Sequence, residues 1–399
     1  MSQWTALTLV ALAGALAAAA PAGSTARFMP CPLKWRHLSS AGGELPVPVT
    51  GTQQTASLVC DIDGDGLNDI VIAERTKSPA LVWLRRTEKG WVRYVIDEGP
   101  LPIEAGGAFH DMDGDGDVDL VFGGDWRSEK VWWWENPRPN YDPGRPWKRR
   151  EIKSDGARQH HDQIFGDFDG DGRAELVFWN QGARKLLWAP VPADPTVSPW
   201  PLREIFSHPK LKHEGLAKAD IDGDGRPELI GGGMWFKYRN GTFIAHVIDE
   251  KQAVGRAAAG LFRKGARPAV LFCLGETTGR LMMYECEGDP GAGGRWRGRD
   301  LLGVDVDHGH TLEVADVDGD GNLDILCAEM RLNGANEHAR MWLLLGDGQG
   351  GFTPTVMAQG LCNHESRLAD LDGDGRIDVL GKPYNWQTPR LDIWLNMGR

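Results

Sequence analysis

An acidic, glycine-rich loop of the form D-x-D-G-D-G-x-x-D/E occurs six times in this chain, beginning at Asp61, Asp111, Asp167, Asp220, Asp316 and Asp370. The starts lie 50 to 56 residues apart, except for one gap of 96 between Asp220 and Asp316. That gap holds a worn copy, in which Arg267-Pro268-Ala269-Val270 parallels Arg226-Pro227-Glu228-Leu229 after the acids have gone. The chain therefore carries seven repeats, six with the acidic loop. A strict period of this length marks units that stack because none can bury its apolar face alone.

Each repeat reads as four short strands. The first enters the loop (residues 312–315) and the second leaves it (70–73, 120–123). The third is tryptophan-rich (80–84, 130–134, 185–188), and the fourth has a basic pattern (91–96, 147–152, 201–205). With no helical periodicity between them, four strands per period predict an all-β fold, a seven-bladed β-propeller with four-stranded blades. The last repeat stops at a third strand, residues 391–395, and the missing fourth pattern stands near the N-terminus as Lys34-Trp35-Arg36-His37-Leu38. That segment is expected to complete the seventh blade and close the ring without free edges.

The propeller is expected to span residues 27–399. Residues 1–26, with an apolar alanine-rich run at 7–20, read as a signal peptide too short for a membrane span. The mature chain is then secreted or periplasmic and does not insert in a membrane. Its net charge of -12 disfavours a nucleic-acid partner. Six scattered cysteines show neither zinc spacing nor a disulfide framework, and three sit inside apolar strand-like runs as expected buried thiols.

Carboxylates at loop positions 1, 3, 5 and 9, with glycines at 4 and 6, suit a hard cation that takes six to eight oxygens. The expected calcium ligands are Asp61, Asp63, Asp65 and Asp69; Asp111, Asp113, Asp115 and Asp119; Asp167, Asp169, Asp171 and Glu175; Asp220, Asp222, Asp224 and Glu228; Asp316, Asp318, Asp320 and Asp324; and Asp370, Asp372, Asp374 and Asp378. An EF-hand is excluded because position 12 is Ile72 or Phe122 and strands flank the loop. These 24 ligands are drawn from 56 acids, and six Ca²⁺ ions would bring the formal charge of -12 to about neutral. The loops resemble the FG-GAP/VCBS repeat, whose family fold is the seven-bladed propeller. The resemblance implies fold and structural calcium, not an activity.

Histidines form the second pattern. Seven of eleven lie within eight residues upstream of an acidic loop: His110, His160, His161, His213, His308, His310 and His364. His161, His310 and His364 share one offset, six residues before the first Asp, and Glu214 beside His213 holds it in repeat four. First strands of a propeller line its channel, so these groups are expected at one mouth, away from the loops. Imidazoles with carboxylates suit a divalent transition metal (Zn, Mn or Fe) rather than calcium. The expected ligands are His161, His213, His310, His364 and Glu214.

Those strands, together with Lys382-Pro383-Tyr384-Asn385-Trp386 and Trp133-Trp134-Glu135-Asn136-Pro137, resemble the propeller domain of aldos-2-ulose dehydratase-type proteins. The resemblance implies removal of water from keto-sugars beside a metal. The cupin and lectin parts of that enzyme have no counterpart here, so its isomerase step is not implied. β-Elimination needs a base, a Lewis acid and a proton donor. Tyr384, Lys382, Arg331 and Glu365 are the expected catalytic groups, and Trp126, Arg127, Asn180 and Trp386 the expected contacts to a carbohydrate. A lyase acting on uronates, a metal-dependent hydrolase, and a non-catalytic propeller binding glycan or protein are the alternatives.

Overall fold

A computed structural model describes residues 28–399, so the expected signal peptide lies outside the described residues. Seven four-stranded antiparallel sheets account for nearly all regular structure. The first three blades comprise Gln54–Cys60, Asp69–Glu74, Leu81–Thr87 and Gly90–Asp97; then Ala108–His110, Asp119–Gly123, Val131–Glu135 and Lys148–Lys153; then His160–Gly166, Glu175–Asn180, Lys185–Pro190 and Arg203–Ser207. The fourth and fifth comprise Ala217–Ala219, Glu228–Gly231, Met234–Arg239 and Thr242–Val247, and Gly255–Gly260, Ala269–Leu274, Met282–Glu287 and Arg295–Asp300. The worn repeat is thus a complete blade. The sixth has Thr311–Ala315, Asp324–Ala328, Arg340–Gly346 and Phe352–Gln359.

The seventh blade closes as the sequence predicts. Arg367–Ala369, Asp378–Gly381 and Asp392–Asn396 are joined by Trp35–Ser39, which pairs antiparallel in the register Trp35 with Asn396 and Ser39 with Asp392. The dipeptide Met29–Pro30 adds a short parallel partner to the outer strand of blade six, a feature with no counterpart in the repeat. Among the described residues no helix is long and apolar enough to cross a membrane.

Second and third strands are apolar on both faces because each blade packs against two neighbours. Trp83, Leu120, Phe122 and Trp134 lie in one buried cluster joining blades one and two. A buried aromatic of this size removes on the order of 200 Å² from water, about 5 kcal/mol of gross stabilisation. All six cysteines are free, and Cys60, Cys273, Cys327 and Cys362 are buried.

The acidic loops are small self-bonded turns. In the first, Asp61 accepts from the backbone N–H groups of Gly64 at 2.8 Å and Gly66 at 2.9 Å. Both glycines are left-handed (φ 71° and 89°), a conformation other residues adopt at a cost. The terminal acid staples the loop: Asp378 accepts from Leu371 N at 2.8 Å and from Asn396 N, on the third strand, at 2.7 Å.

Candidate metal centre

First strands of neighbouring blades touch around the channel, and their upstream ends meet at a cavity of about 230 Å³. Its walls include Arg75, Glu104, Trp126, His161, Glu214, Glu276, His310, His364 and Tyr384. A separate opening of about 560 Å³, on the side of the acidic loops, is lined by Phe109, His110, Phe165 and Lys218. His161, Glu214, His310 and His364 thus line the first cavity, whereas His110 lines the opening beside the acidic loops.

Within the cavity, ligand atoms from His161, Glu214, Glu276 and His310 all lie within 4.8 Å of one another. Nδ1 of His161 is 2.7 Å from Asp162 Oδ2, which leaves Nε2 as its free nitrogen. A carboxylate on the far nitrogen of an imidazole is how proteins orient metal-binding histidines. Burial opposes charge on His161, but Asp162 and Glu214 outweigh it and push its pKa up to about 10. Glu276, half exposed at the rim, lies 3.3 Å from Nε2 of His310. That contact draws its carboxyl down to about 2. Burial pushes the Glu214 carboxyl up. Its Oε1 accepts from Gln181 at 2.7 Å, while Oε2 and Nδ1 of His310 are buried without a formed hydrogen bond, and His310 Nε2 has only the approach of Glu276. Such orphaned groups are rare in folded proteins, and a cation would satisfy them. The residues present fit a divalent transition metal.

A charged belt underlies the cluster. Arg256 pairs with Asp162 and, at 3.2 Å, with Glu365. Arg367 lies 3.5 Å from Glu365 and 2.6 Å from Glu313. Burial works against the charges of Asp162 and Glu365, yet Arg256 holds both carboxyls below the usual range. Asp162 and Glu365 have left-handed backbones (φ 48° and 53°), which turn them away from the cavity beside their histidines.

Above the belt the rings form a row. His310 and His364 stack at 4.1 Å between centroids, and His364 and Tyr384 at 4.8 Å. Tyr384 Oη accepts from Arg75 Nη2 and lies 3.3 Å from Gln53. Arg75 in turn pairs with Glu104 at 3.0 Å and sits over the Trp126 ring at 4.6 Å.

Several expected site residues stand elsewhere. His213 stacks on Trp179 at 5.2 Å, and burial lowers its pKa to about 4. Next to Glu214, it faces the blade interior while Glu214 faces the channel. Glu365 belongs to the belt. Lys382 is buried behind His364, with Nζ 3.2 Å from His364 Nδ1, and also donates to Gln54 O. His364 lines the cavity with that nitrogen already engaged. Asn180 is buried and bonded to Ala157 O at 3.1 Å. Arg331 donates to Gly360 O at 3.1 Å and lies over the Trp386 ring, outside the cavity. Arg127 is held by Asp125. Trp126 and Trp386 are exposed, at 52% and 41%.

Glu276 and Glu104 are cavity residues that the sequence patterns do not single out. Glu276 follows the second strand of blade five, whose lost acidic loop removed the landmark that located the other blades. The parallel of Ala269-Val270 with Glu228-Leu229 puts Glu276 in the connection between the second and third strands of blade five.

In the acidic loops, ligand atoms converge likewise for Asp167, Asp169, Asp171 and Glu175, for Asp61, Asp63 and Asp69, for Asp111, Asp113 and Asp115, and for Asp220, Asp222 and Glu228. Burial pushes the pKa of the terminal acids Asp69, Asp119 and Glu175 up to about 7. Crowded carboxylates with all-oxygen donors fit calcium.

No curated protein matches the chain. A family model described as FG-GAP-like repeat matches residues 111–178, 167–231 and 316–381. Among solved structures, BBS1N in complex with ARL6DN is similar at 13% identity with a TM-score of 0.54, covering 90% of this chain and 96% of that one. The V. cholerae biofilm matrix protein Bap1 is similar at 12% identity with a TM-score of 0.48, covering 88% of this chain and 89% of that one. The chain is a seven-bladed β-propeller, and its residues 111–231 and 316–381 match the FG-GAP-like repeat.

Proposed function

We propose that this chain is an exported, calcium-stabilised propeller that acts as a metal-dependent carbon–oxygen lyase on carbohydrate. It would eliminate water or an alcohol from a keto-sugar, glycoside or uronate held in the cavity. The observation that carries the reading is the convergence of His161, Glu214, Glu276 and His310 below a wall of Arg75, Tyr384 and Trp126. Mixed imidazole and carboxylate donors suit Zn, Mn or Fe. When bound, such an ion would supply a Lewis acid for charge developing on a carbonyl oxygen.

The chain's own residues supply the remainder. Trp126 offers an exposed ring to a sugar face, held by Arg75 beneath it. Arg75 also lends a guanidinium donor to the same wall. Tyr384 Oη is the wall atom that carries a transferable proton, and its ring is fixed on His364. The resemblance to aldos-2-ulose dehydratase-type propellers favours elimination over hydrolysis. Export would place the acidic loops in millimolar calcium, where weak sites stay filled.

The test incubates metal-loaded protein with keto-sugars, glycosides and uronates and follows the conjugated carbonyl that elimination forms. At least one class is expected to give product. Tyr384→Phe should lower kcat about 100-fold or more while the metal content stays unchanged. No product from any class would sink the enzyme reading. A non-catalytic reading draws on the exposed Trp126 and Trp386 and on the BBS1N structure having been solved as a complex with ARL6DN. It expects glycan or protein binding at the mouth without turnover.

A further inference from the structure

We infer that the acidic loop of the fourth blade is closed by the chain's own Lys237 ammonium in place of a calcium ion. The inference rests on the calcium reading of the loops and departs from it at this one. Lys237 Nζ lies 2.7 Å from Asp224 Oδ2 and 3.6 Å from Glu228 Oε1, and it also donates to Asp222 Oδ2. These are loop positions 3, 5 and 9, three of the four carboxylates expected to hold the ion. The fourth, Asp220, accepts from the backbone N–H groups of Gly223 at 2.7 Å and Gly225 at 2.9 Å. A lysine ammonium is a compact charge with three donors, matched here by three carboxylates. A divalent cation could enter only by expelling this ion-paired group, which leaves the pair's binding energy to be overcome first.

The register shows why blade four differs. Lys237 follows Phe236, the partner of Leu229, so it stands opposite the loop's terminal acid Glu228. The equivalent residues are Arg85, Glu135, Pro190, Leu345 and Leu395. Four of these carry no positive charge. Arg85 does, but Asp63 is the one acid of that loop it pairs with, leaving the others free of it. In blade six Arg399 pairs with Asp318 alone; among the described residues, only Lys237 pairs with three carboxylates of one loop.

The test counts calcium per chain, by equilibrium dialysis of the full mature protein in millimolar calcium. Lys237→Met is expected to bind one more ion than wild type, and Lys237→Arg is expected to gain none. In chains that keep Lys237, Asp224→Asn should leave the count unchanged, whereas Asp171→Asn at the same position of blade three should lower it by one. The asparagine pair decides the matter even if Lys237→Met fails to fold. Equal counts in wild type and Lys237→Met, or loss of an ion in Asp224→Asn, would overturn the inference while the calcium reading stood. No bound calcium in any of these proteins would bring down both.

Discussion

Lys382 has no exposed surface, and burial lowers its pKa to about 7. In the unfolded chain its pKa would be about 10.4. Between those values the unfolded chain holds a proton that the folded chain lacks, so this residue makes stability rise with pH and fall as pH drops toward 7. The stability difference between wild type and Lys382→Met, measured by urea unfolding, should grow with pH from about 7 to 10, by up to about 1.4 kcal/mol per unit. A constant difference would mean that Lys382 keeps its charge when folded. The same scale shows how far the site was legible. The shared offset before the loops located His161, His310, His364 and Glu214, since a strand carries equivalent positions to equivalent depths. It could not say which of two neighbours faces the channel, so His213 was included although it packs on Trp179. Glu365 was included although its left-handed backbone turns it to Arg256.

Strands were legible to within about three residues, because alternation and tryptophan placement mark their cores better than their ends. Residues 80–84 were expected where Leu81–Thr87 forms, and 201–205 where Arg203–Ser207 forms. What the pattern could not supply was the loop's internal bonding. The terminal aspartates Asp69, Asp119, Asp324 and Asp378 are structural staples that tie the loop to the third strand or its end, whereas Glu175 and Glu228 accept only from backbone N–H groups of their own loop. Asp378→Ala removes acceptors for Leu371 N and Asn396 N at a buried point. It should cost about 3 kcal/mol by chemical unfolding in excess chelator, where calcium contributes nothing. Asp374→Ala, on the exposed tip of the same loop, should cost less than about 0.5 kcal/mol under those conditions. Similar costs for the two would show that Asp378 acts only through calcium.

The ring explains why the polar and aromatic side chains of the cavity gather at one end of the channel. Closure by Trp35–Ser39 fixes all seven blades around one axis, so positions far apart in sequence, from His161 to Tyr384, meet in a single cavity. The acidic loops repeat on the opposite side and serve the scaffold, and blade five folds without one. The central claim is that the cavity holds one transition metal. The direct measurement strips calcium with a calcium-selective chelator, incubates the protein with Zn²⁺, Mn²⁺ or Fe²⁺, removes excess ion and determines bound metal by mass spectrometry. Wild type should retain one ion per chain, His213→Ala should retain the same, and the double variant His161→Ala/His310→Ala should retain almost none. A wild type that keeps no transition metal, or a double variant that keeps as much as wild type, would contradict the account.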